Sequence, residues 1–193
     1  MSKPSDWVWI LPSSDERRQA EQLALSEHHM LGGRAEELAL HGTGLDGRRL
    51  GAVGVVVVQR FLQEHGVPSE VLTRGSPCDL RVRLHLPIEW VDVKTKSVRT
   101  QPQTDYVVEV KEAQLDNPVG AYMFCYHLEP RFVIIGWKGK ADFLQMAERY
   151  TKGERRTGRN GAAWTCSEDC RLLGIRDLEP PLSLLVPAQA ALF

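Results

Sequence analysis

Two segments with a period of two residues, separated by a turn at Leu86-Pro87, constrain the fold of this chain most. Successive residues of a strand point to opposite faces of a sheet. The first segment therefore has an apolar face and a polar face, and the polar face consists of Asp79, Arg81, Arg83 and His85. The second segment follows the same pattern, and its polar face consists of Trp90, Asp92, Lys94 and Lys96. Together they predict a β-hairpin with one packed face and one polar face.

The position of the turn predicts which residues of the hairpin face each other. If the chain reverses there, the numbers of paired residues sum to about 173, which places Asp79 opposite Lys94 and Arg81 opposite Asp92. A register shifted by two residues would keep every side chain on its face. In both registers Asp79, Asp92 and Lys94 meet in one polar patch.

Two carboxylates and a lysine in one patch have two interpretations. Carboxylate oxygens suit Mg²⁺ or Mn²⁺, which often take one or two protein carboxylates and complete their coordination with water and phosphate oxygens. A lysine beside that ion can orient or help to deprotonate a water molecule, so the patch would serve phosphodiester hydrolysis. The alternative is an ordinary cross-strand salt bridge on a solvated sheet face.

The same residues resemble the signature of the PD-(D/E)XK nuclease superfamily, in its phage or repair-type members. Pro77-Cys78-Asp79 is followed after twelve residues by Asp92-Val93-Lys94. The later segments "AYMFCYHL" and "RFVIIGWKG" resemble further strands of that family, the second being an outer strand that ends in a Gly-Trp turn. The resemblance implies an α/β fold with a restriction-endonuclease-like mixed central β-sheet flanked by helices, preceded by an N-terminal helical segment.

The resemblance also implies roles for individual residues. Asp79 and Asp92 would bind Mg²⁺ or Mn²⁺ together with the backbone carbonyl of Val93, and Lys94 would act on the attacking water. Gln114 stands where many members carry a glutamine near the active site. One further expectation concerns Lys96, which shares the strand face of Lys94 and is a candidate phosphate contact.

One position departs from the family pattern. Many members carry a Gly-Glu pair on the helix before the hairpin, and the glutamate contributes to the metal site. The corresponding pair here is Gly54-Val55, and valine cannot bind a metal. Glu36 or Glu37 could substitute, one metal ion could suffice, or catalytic activity could be lost while the nuclease fold binds DNA or a protein partner.

Charge and composition narrow the choice of partner. The net charge of −1 argues against a protein that coats nucleic acid by bulk electrostatics, but it allows a local basic groove. Such a groove is predicted in the segment 138–159, with DNA as the partner and with contacts from Lys138, Lys140, Arg155, Arg156 and Arg159. A solvated surface loop explains this charge run equally well.

The remaining features predict one medium-sized domain over residues 1–193. Its parts are an N-terminal helical segment (1–50), a core with the metal-site hairpin (51–150), and a basic loop with a C-terminal strand (151–193). The valine-rich stretch 48–66 favours a buried helix, and Ser13 or Ser14 suits a helix N-cap. No apolar run is long enough to span a membrane and no secretion signal is evident, which predicts a cytoplasmic protein, in the host cytoplasm if it is phage-encoded.

Two further expectations concern the cysteines and the oligomeric state. Cys166 and Cys170 have a spacing that could bind zinc, but a second ligand pair at matching spacing is missing, so reduced structural cysteines are favoured. Cutting both strands of a duplex often requires two active sites, which suggests a homodimer.

Overall fold

The structure is a computed structural model that describes residues 1–30, 45–72, 76, 78–84, 86–157 and 163–185. Of residues 27–30 it describes the backbone alone. The helices are α1 (Ser14–Met30), α2 (Leu45–Glu64) and α3 (Lys140–Met146). The strands are β1 (Val8–Ile10), β2 (Ser69–Val71), β3 (Leu80–Val82), β4 (Trp90–Ser97), β5 (Val107–Lys111), β6 (Ala121–Leu128), β7 (Arg131–Gly139), β8 (Glu148–Tyr150), β9 (Arg155–Thr157), β10 (Ala163–Thr165) and β11 (Cys170–Gly174).

A six-stranded mixed sheet is the centre of the fold. Its strand order is β1-β7-β6-β4-β3-β2, with β4 and β6 parallel and the other neighbours antiparallel. A three-stranded sheet, β5-β11-β8, and the hairpin β9-β10 form separately. The α/β class and the mixed central sheet predicted from the sequence are thus confirmed, whereas the restriction-endonuclease-like arrangement stays a prediction.

Both faces of the central sheet are covered by apolar side chains. On one face Val91 and Val93 of β4 pack with Val55, Val58 and other residues of α2. On the other face the aromatic residues of β6 pack against Phe143 of α3 and against residues of β5 and β11. This second layer lies on the side of the sheet that carries Asp92, so the polar face of β4 is largely withdrawn from water.

Helix α2 confirms that the valine-rich stretch is helical. The stretch is too long for an average strand, and its residues Val55 to Val58 are all buried. Gly54 lies where the helix approaches the sheet closely, because a Cβ atom built on it would be only 2.0 Å from Oγ1 of Thr95 in β4. This close approach fixes the distance between α2 and the strand that carries Asp92 and Lys94.

The N-terminal segment contains the predicted helix and, before it, a short strand. Residues 8–10 form the edge strand β1, which pairs with β7. The following helix α1 begins with a reciprocal cap, in which the Glu16 N–H donates to the Ser13 hydroxyl at 3.2 Å and the Ser13 N–H donates to the Glu16 carboxylate at 2.6 Å. Ser13, rather than Ser14, is therefore the N-cap.

Strand β7 also corrects a prediction. Gly136-Trp137 does not form a turn at the end of an outer strand, because β7 continues to Gly139 and has β1 and β6 as neighbours on its two sides. Gly136 lies at a β-bulge and has a φ of 154°. A glycine is required there because a Cβ atom would lie 2.6 Å from the carbonyl oxygen of Glu179. The glycine at position 136 does mark an irregularity of the backbone, but this irregularity is a β-bulge instead of a turn.

Within the described residues, no helix is long and apolar enough to cross a membrane.

Candidate active site

The predicted hairpin forms, but its register is shifted by two residues. Leu80 pairs with Val91 and Arg81 pairs with Trp90, so paired numbers sum to 171. Arg81 consequently lies over the Trp90 ring, with its guanidinium carbon 5.4 Å from the ring centre, and not opposite Asp92 as predicted. The predicted pairing of Asp79 with Lys94 is wrong for the same reason.

Asp79 stands one residue before β3 begins, beside Asp92. Its N–H donates to the carbonyl of Val91 at 3.2 Å, and its carboxylate Oδ2 accepts the N–H of Val93 at 2.7 Å. The carboxylate thus accepts the N–H of Val93 at a point that the backbone of β3 does not reach. Burial raises the pKa of Asp79 well above its usual value, and the neighbouring Asp92 carboxylate raises it further. The hydrogen bond from the Val93 N–H and the charge of the Lys94 ammonium partly offset this rise, because each lowers the pKa of Asp79.

Asp92 and Lys94 point to the same face of β4 and form an ion pair. Asp92 is 6% exposed, and its Oδ2 lies 2.7 Å from Nζ of Lys94. The contact lacks the angles of a hydrogen bond, so Oδ2 has no hydrogen-bond partner among the described residues. The Lys94 ammonium instead donates to Oε1 of Gln114 at 3.0 Å.

Gln114 reaches this site from a distant part of the chain. It ends the 3₁₀ turn Glu112–Gln114, which follows β5 directly. The structure therefore brings Asp79, Asp92, Lys94 and Gln114 together. Lys96 lies two residues further along β4, on the same face, and is exposed.

The charges of this site suit a divalent cation. Two partly or fully buried carboxylates face a single ammonium group, and burying unbalanced charge is costly. Asp92 Oδ2 is a buried acceptor that receives no hydrogen bond from the described part of the chain. Mg²⁺ is satisfied by one or two carboxylates, so Asp79 and Asp92 could hold it with water and substrate oxygens as the other ligands.

A third acidic ligand is not part of the described site. In the described portion of the chain no three side chains of His, Cys, Asp or Glu come together as a metal-binding group. Val55 packs in the cluster that covers Val91 and Val93, on the side of β4 opposite to Asp92. Position 55 therefore points away from the carboxylates. Glu36 and Glu37 lie outside the described residues.

Tyr122 is a member of this neighbourhood that sequence reasoning missed. It is paired with Asp92 across the parallel strands β4 and β6 and is fully buried. Within the described ranges its hydroxyl has no hydrogen-bond partner. Burial, and secondarily the charge of Asp92, raise the pKa of Tyr122 to about 12. The sequence shows a tyrosine within an apolar strand. It does not show that this tyrosine pairs with Asp92, because the register between β4 and β6 cannot be predicted from the sequence.

The predicted basic groove is divided between different parts of the fold. Lys138 is 6% exposed and donates to Oε1 of Glu179 at 3.1 Å, so its charge is already paired inside the protein. Its neighbour Lys140 donates to the carbonyl of Asn117 at 2.6 Å. Lys138 belongs to β7 and Lys140 begins α3, whereas Arg155 and Arg156 belong to β9.

That hairpin carries the predicted arginines. Arg155 is exposed. Arg156 lies against Tyr150 and Trp164, with its guanidinium carbon 4.9 and 5.8 Å from the two ring centres, and 3.6 Å from the Glu148 carboxylate. Arg159 lies outside the described residues. Cys78, Cys125, Cys166 and Cys170 are buried free thiols.

No model of a known protein family matches this chain. No curated protein and no solved structure matches it either. The resemblance to nucleases therefore stays a prediction from the sequence.

The carboxylate pair makes a prediction about stability. In EDTA, replacing Asp79 with asparagine should raise the free energy of unfolding at pH 7, on the order of 1 kcal/mol, because one of two repelling buried charges is removed. The asparagine oxygen can still accept the Val93 N–H. Denaturation in urea, with and without Mg²⁺, measures the effect.

The sign of the pH dependence follows from the raised pKa of Asp79. A carboxyl whose pKa is raised by folding contributes most stability below its unfolded pKa, near 4, and loses it as the pH rises. The increase in the free energy of unfolding caused by Asp79→Asn should therefore vanish near pH 4 and grow towards pH 7. Mg²⁺ should stabilise the natural protein and not the variant. If Asp79→Asn is less stable than the natural protein at pH 7 in EDTA, repulsion between the Asp79 and Asp92 carboxylates does not destabilise the fold.

Proposed function

We propose that this protein is a metal-dependent nuclease that hydrolyses phosphodiester bonds of DNA. The observation that carries the proposal is the meeting of Asp79, Asp92, Lys94 and Gln114 at one point of the central sheet, with two carboxylates for one ammonium. A purely structural salt bridge would need only one carboxylate. The second one, with its raised pKa, is a cost that binding a cation would remove.

Each residue has a role that its contacts support. Asp79 and Asp92 would hold Mg²⁺ or Mn²⁺, with the Val93 carbonyl as a further ligand. When bound, the ion supplies positive charge that stabilises the negative charge developing on the phosphate. Asp79 is fixed in direction by the Val93 N–H, so it needs little reorganisation.

Lys94 would assist the attacking water. As an ammonium it donates hydrogen bonds, and it can orient the water or offset charge on a phosphate oxygen. Its contact with Gln114 at 3.0 Å and its ion pair with Asp92 at 2.7 Å hold the long side chain in one place. Gln114 would therefore act through Lys94.

The DNA backbone would run past the exposed end of β4. Lys96 is exposed on the face of Lys94, so it is the nearest proposed phosphate contact. Arg155 and Arg156 would extend the contact along the β9-β10 hairpin. Lys138 is not among the proposed DNA contacts because its ammonium is already paired with Glu179. A homodimer would bring two such sites to the two strands.

The experiment is a cleavage assay with plasmid, linear duplex and single-stranded DNA in Mg²⁺, Mn²⁺ or EDTA. Cleavage in Mg²⁺ or Mn²⁺ and none in EDTA is the expected result. If the folded protein cuts none of the three substrates with either ion, the proposal of a deoxyribonuclease is wrong.

A second candidate is a nuclease-like protein that binds DNA or a protein without cutting. The observation in its favour is the missing third acidic ligand within the described residues. Binding of this kind should survive replacement of Asp79 or Asp92 by alanine in a gel-shift assay, whereas catalysis should not. Retained binding with no cleavage by the natural protein would favour it.

A further inference from the structure

Tyr122 carries a buried hydroxyl group for which the described fold gives no hydrogen-bond partner. The residue is completely buried. A buried hydroxyl without a partner costs folding free energy, so native proteins rarely keep one without another use. A phenylalanine would fill the same space without that cost.

The sheet places this hydroxyl in the row of side chains that contains Asp92. Asp92 on β4, Tyr122 on β6 and Lys138 on β7 are consecutive partners across the three strands, so their side chains share one face. Lys138 only donates hydrogen bonds and is already bound to Glu179. The acceptor available to the phenol in this row is therefore on the Asp92 side, where Oδ2 is in an ion pair with Lys94 but accepts no hydrogen bond from any described residue.

Packing fixes the position of the phenol. The ring of Tyr122 meets Phe143 edge-on, with ring centres 5.2 Å apart, and Phe124 at 6.3 Å. Aromatic contacts of this kind restrict the ring and so define where the hydroxyl stands. A group held rigidly in this way is suited to orienting a ligand of a metal site.

We propose that Tyr122 is a positioning residue of the carboxylate site. Its hydroxyl donates a hydrogen bond to a water molecule shared with Asp92 Oδ2, and this fixes the direction in which the Asp92 carboxylate faces a bound cation. Two buried polar atoms and the Lys94 ammonium provide enough partners for such a water. The inference rests on the proposed metal site.

Tyr126 is a matched control on the same strand face. It is also buried, but its hydroxyl donates to the carbonyl of Val107 at 2.8 Å. Replacing Tyr126 with phenylalanine removes a satisfied hydrogen bond and leaves that carbonyl without its donor. Replacing Tyr122 with phenylalanine removes no hydrogen bond between described residues.

The test compares Tyr122→Phe and Tyr126→Phe in three measurements. These are the urea midpoint of unfolding in EDTA, the dissociation constant for Mn²⁺ from the electron paramagnetic resonance signal of free Mn²⁺, and the rate of DNA cleavage. For Tyr122→Phe we expect an unchanged or higher midpoint and a dissociation constant raised about 10-fold, the scale of outer-shell effects on metal affinity. For Tyr126→Phe we expect a lower midpoint and an unchanged dissociation constant.

The outcomes separate this inference from the proposed function. If the natural protein cleaves DNA and Tyr122→Phe binds Mn²⁺ as tightly as it does, the role of Tyr122 is overturned and the nuclease proposal stands. Weaker Mn²⁺ binding by Tyr122→Phe, without DNA cleavage by the natural protein, supports the role of Tyr122 and overturns the nuclease. A natural protein that binds no Mn²⁺ overturns both.

Discussion

Replacing Asp92 with asparagine is expected to reduce metal-dependent DNA cleavage by about 10³-fold or more while the protein stays folded. Asparagine has nearly the shape of aspartate but carries no charge. It is therefore a poor ligand for Mg²⁺ and cannot form an ion pair with Lys94. The fold should tolerate the change because the neighbouring Asp79 carboxylate no longer meets a second negative charge.

Asp116→Asn is the matched control for this experiment, since Asp116 is exposed and follows the turn that carries Gln114. Both variants should be purified identically and assayed on plasmid DNA in Mg²⁺, with circular dichroism as the check of folding. The control should cut at the natural rate. If Asp92→Asn also cuts at the natural rate, Asp92 is not part of the catalytic site.

The second large effect is expected in the packing of α2 against β4. Gly54→Ala should lower the free energy of unfolding by about 3 kcal/mol, at the upper end of what overpacking a close-packed core costs. The new Cβ atom would lie 2.0 Å from Oγ1 and 3.1 Å from Cβ of Thr95. Such contacts force α2 away from the sheet or Thr95 out of its place, beside Lys94.

Gly51→Ala, in the same helix, separates the clash from the intrinsic effect of removing a glycine. A Cβ atom on Gly51 meets nothing within 4 Å, so this variant should be stabilised by about 1 kcal/mol through helix propensity alone. Adding Thr95→Ala to Gly54→Ala should restore part of the lost stability, because it removes the atom in closest contact. Urea denaturation of all the variants is the measurement. A Gly54→Ala protein as stable as the natural one would show that α2 does not lie this close to β4.

The sequence predicted the composition of the site better than its geometry. Period-two alternation assigned Asp79, Asp92 and Lys94 to one polar patch, and the structure brings them together. The register differed by two residues because the chain reverses one residue earlier than predicted, so that paired numbers sum to 171 instead of about 173. The side chains kept their faces, since a shift of two preserves the alternation.

Contacts between distant segments were harder to predict. The contact of Gln114 with Lys94 depends on how the chain crosses from β4 to β6, and the resemblance, not the spacing, pointed to Gln114. Nothing local marked Tyr122, because its position beside Asp92 depends on the parallel pairing of β4 and β6. Its role as a positioning residue stays a proposal.

Charge in the sequence was a poor guide to charge on the surface. Lys138 belongs to the basic segment, yet the bulged strand β7 turns it inward to Glu179. Arg156 lies on another sheet, in contact with two aromatic rings. A run of basic residues becomes a basic surface only if the elements that carry them present the same side to solvent.

The carboxylate site is tested most directly by calorimetric titration of the metal-free natural protein, Asp79→Asn and Asp92→Asn with Mn²⁺. We expect saturable binding by the natural protein, severely weakened in both variants and unchanged in Asp116→Asn. Equal binding by all four proteins, or no saturable binding by the natural protein, would contradict a metal site at Asp79 and Asp92.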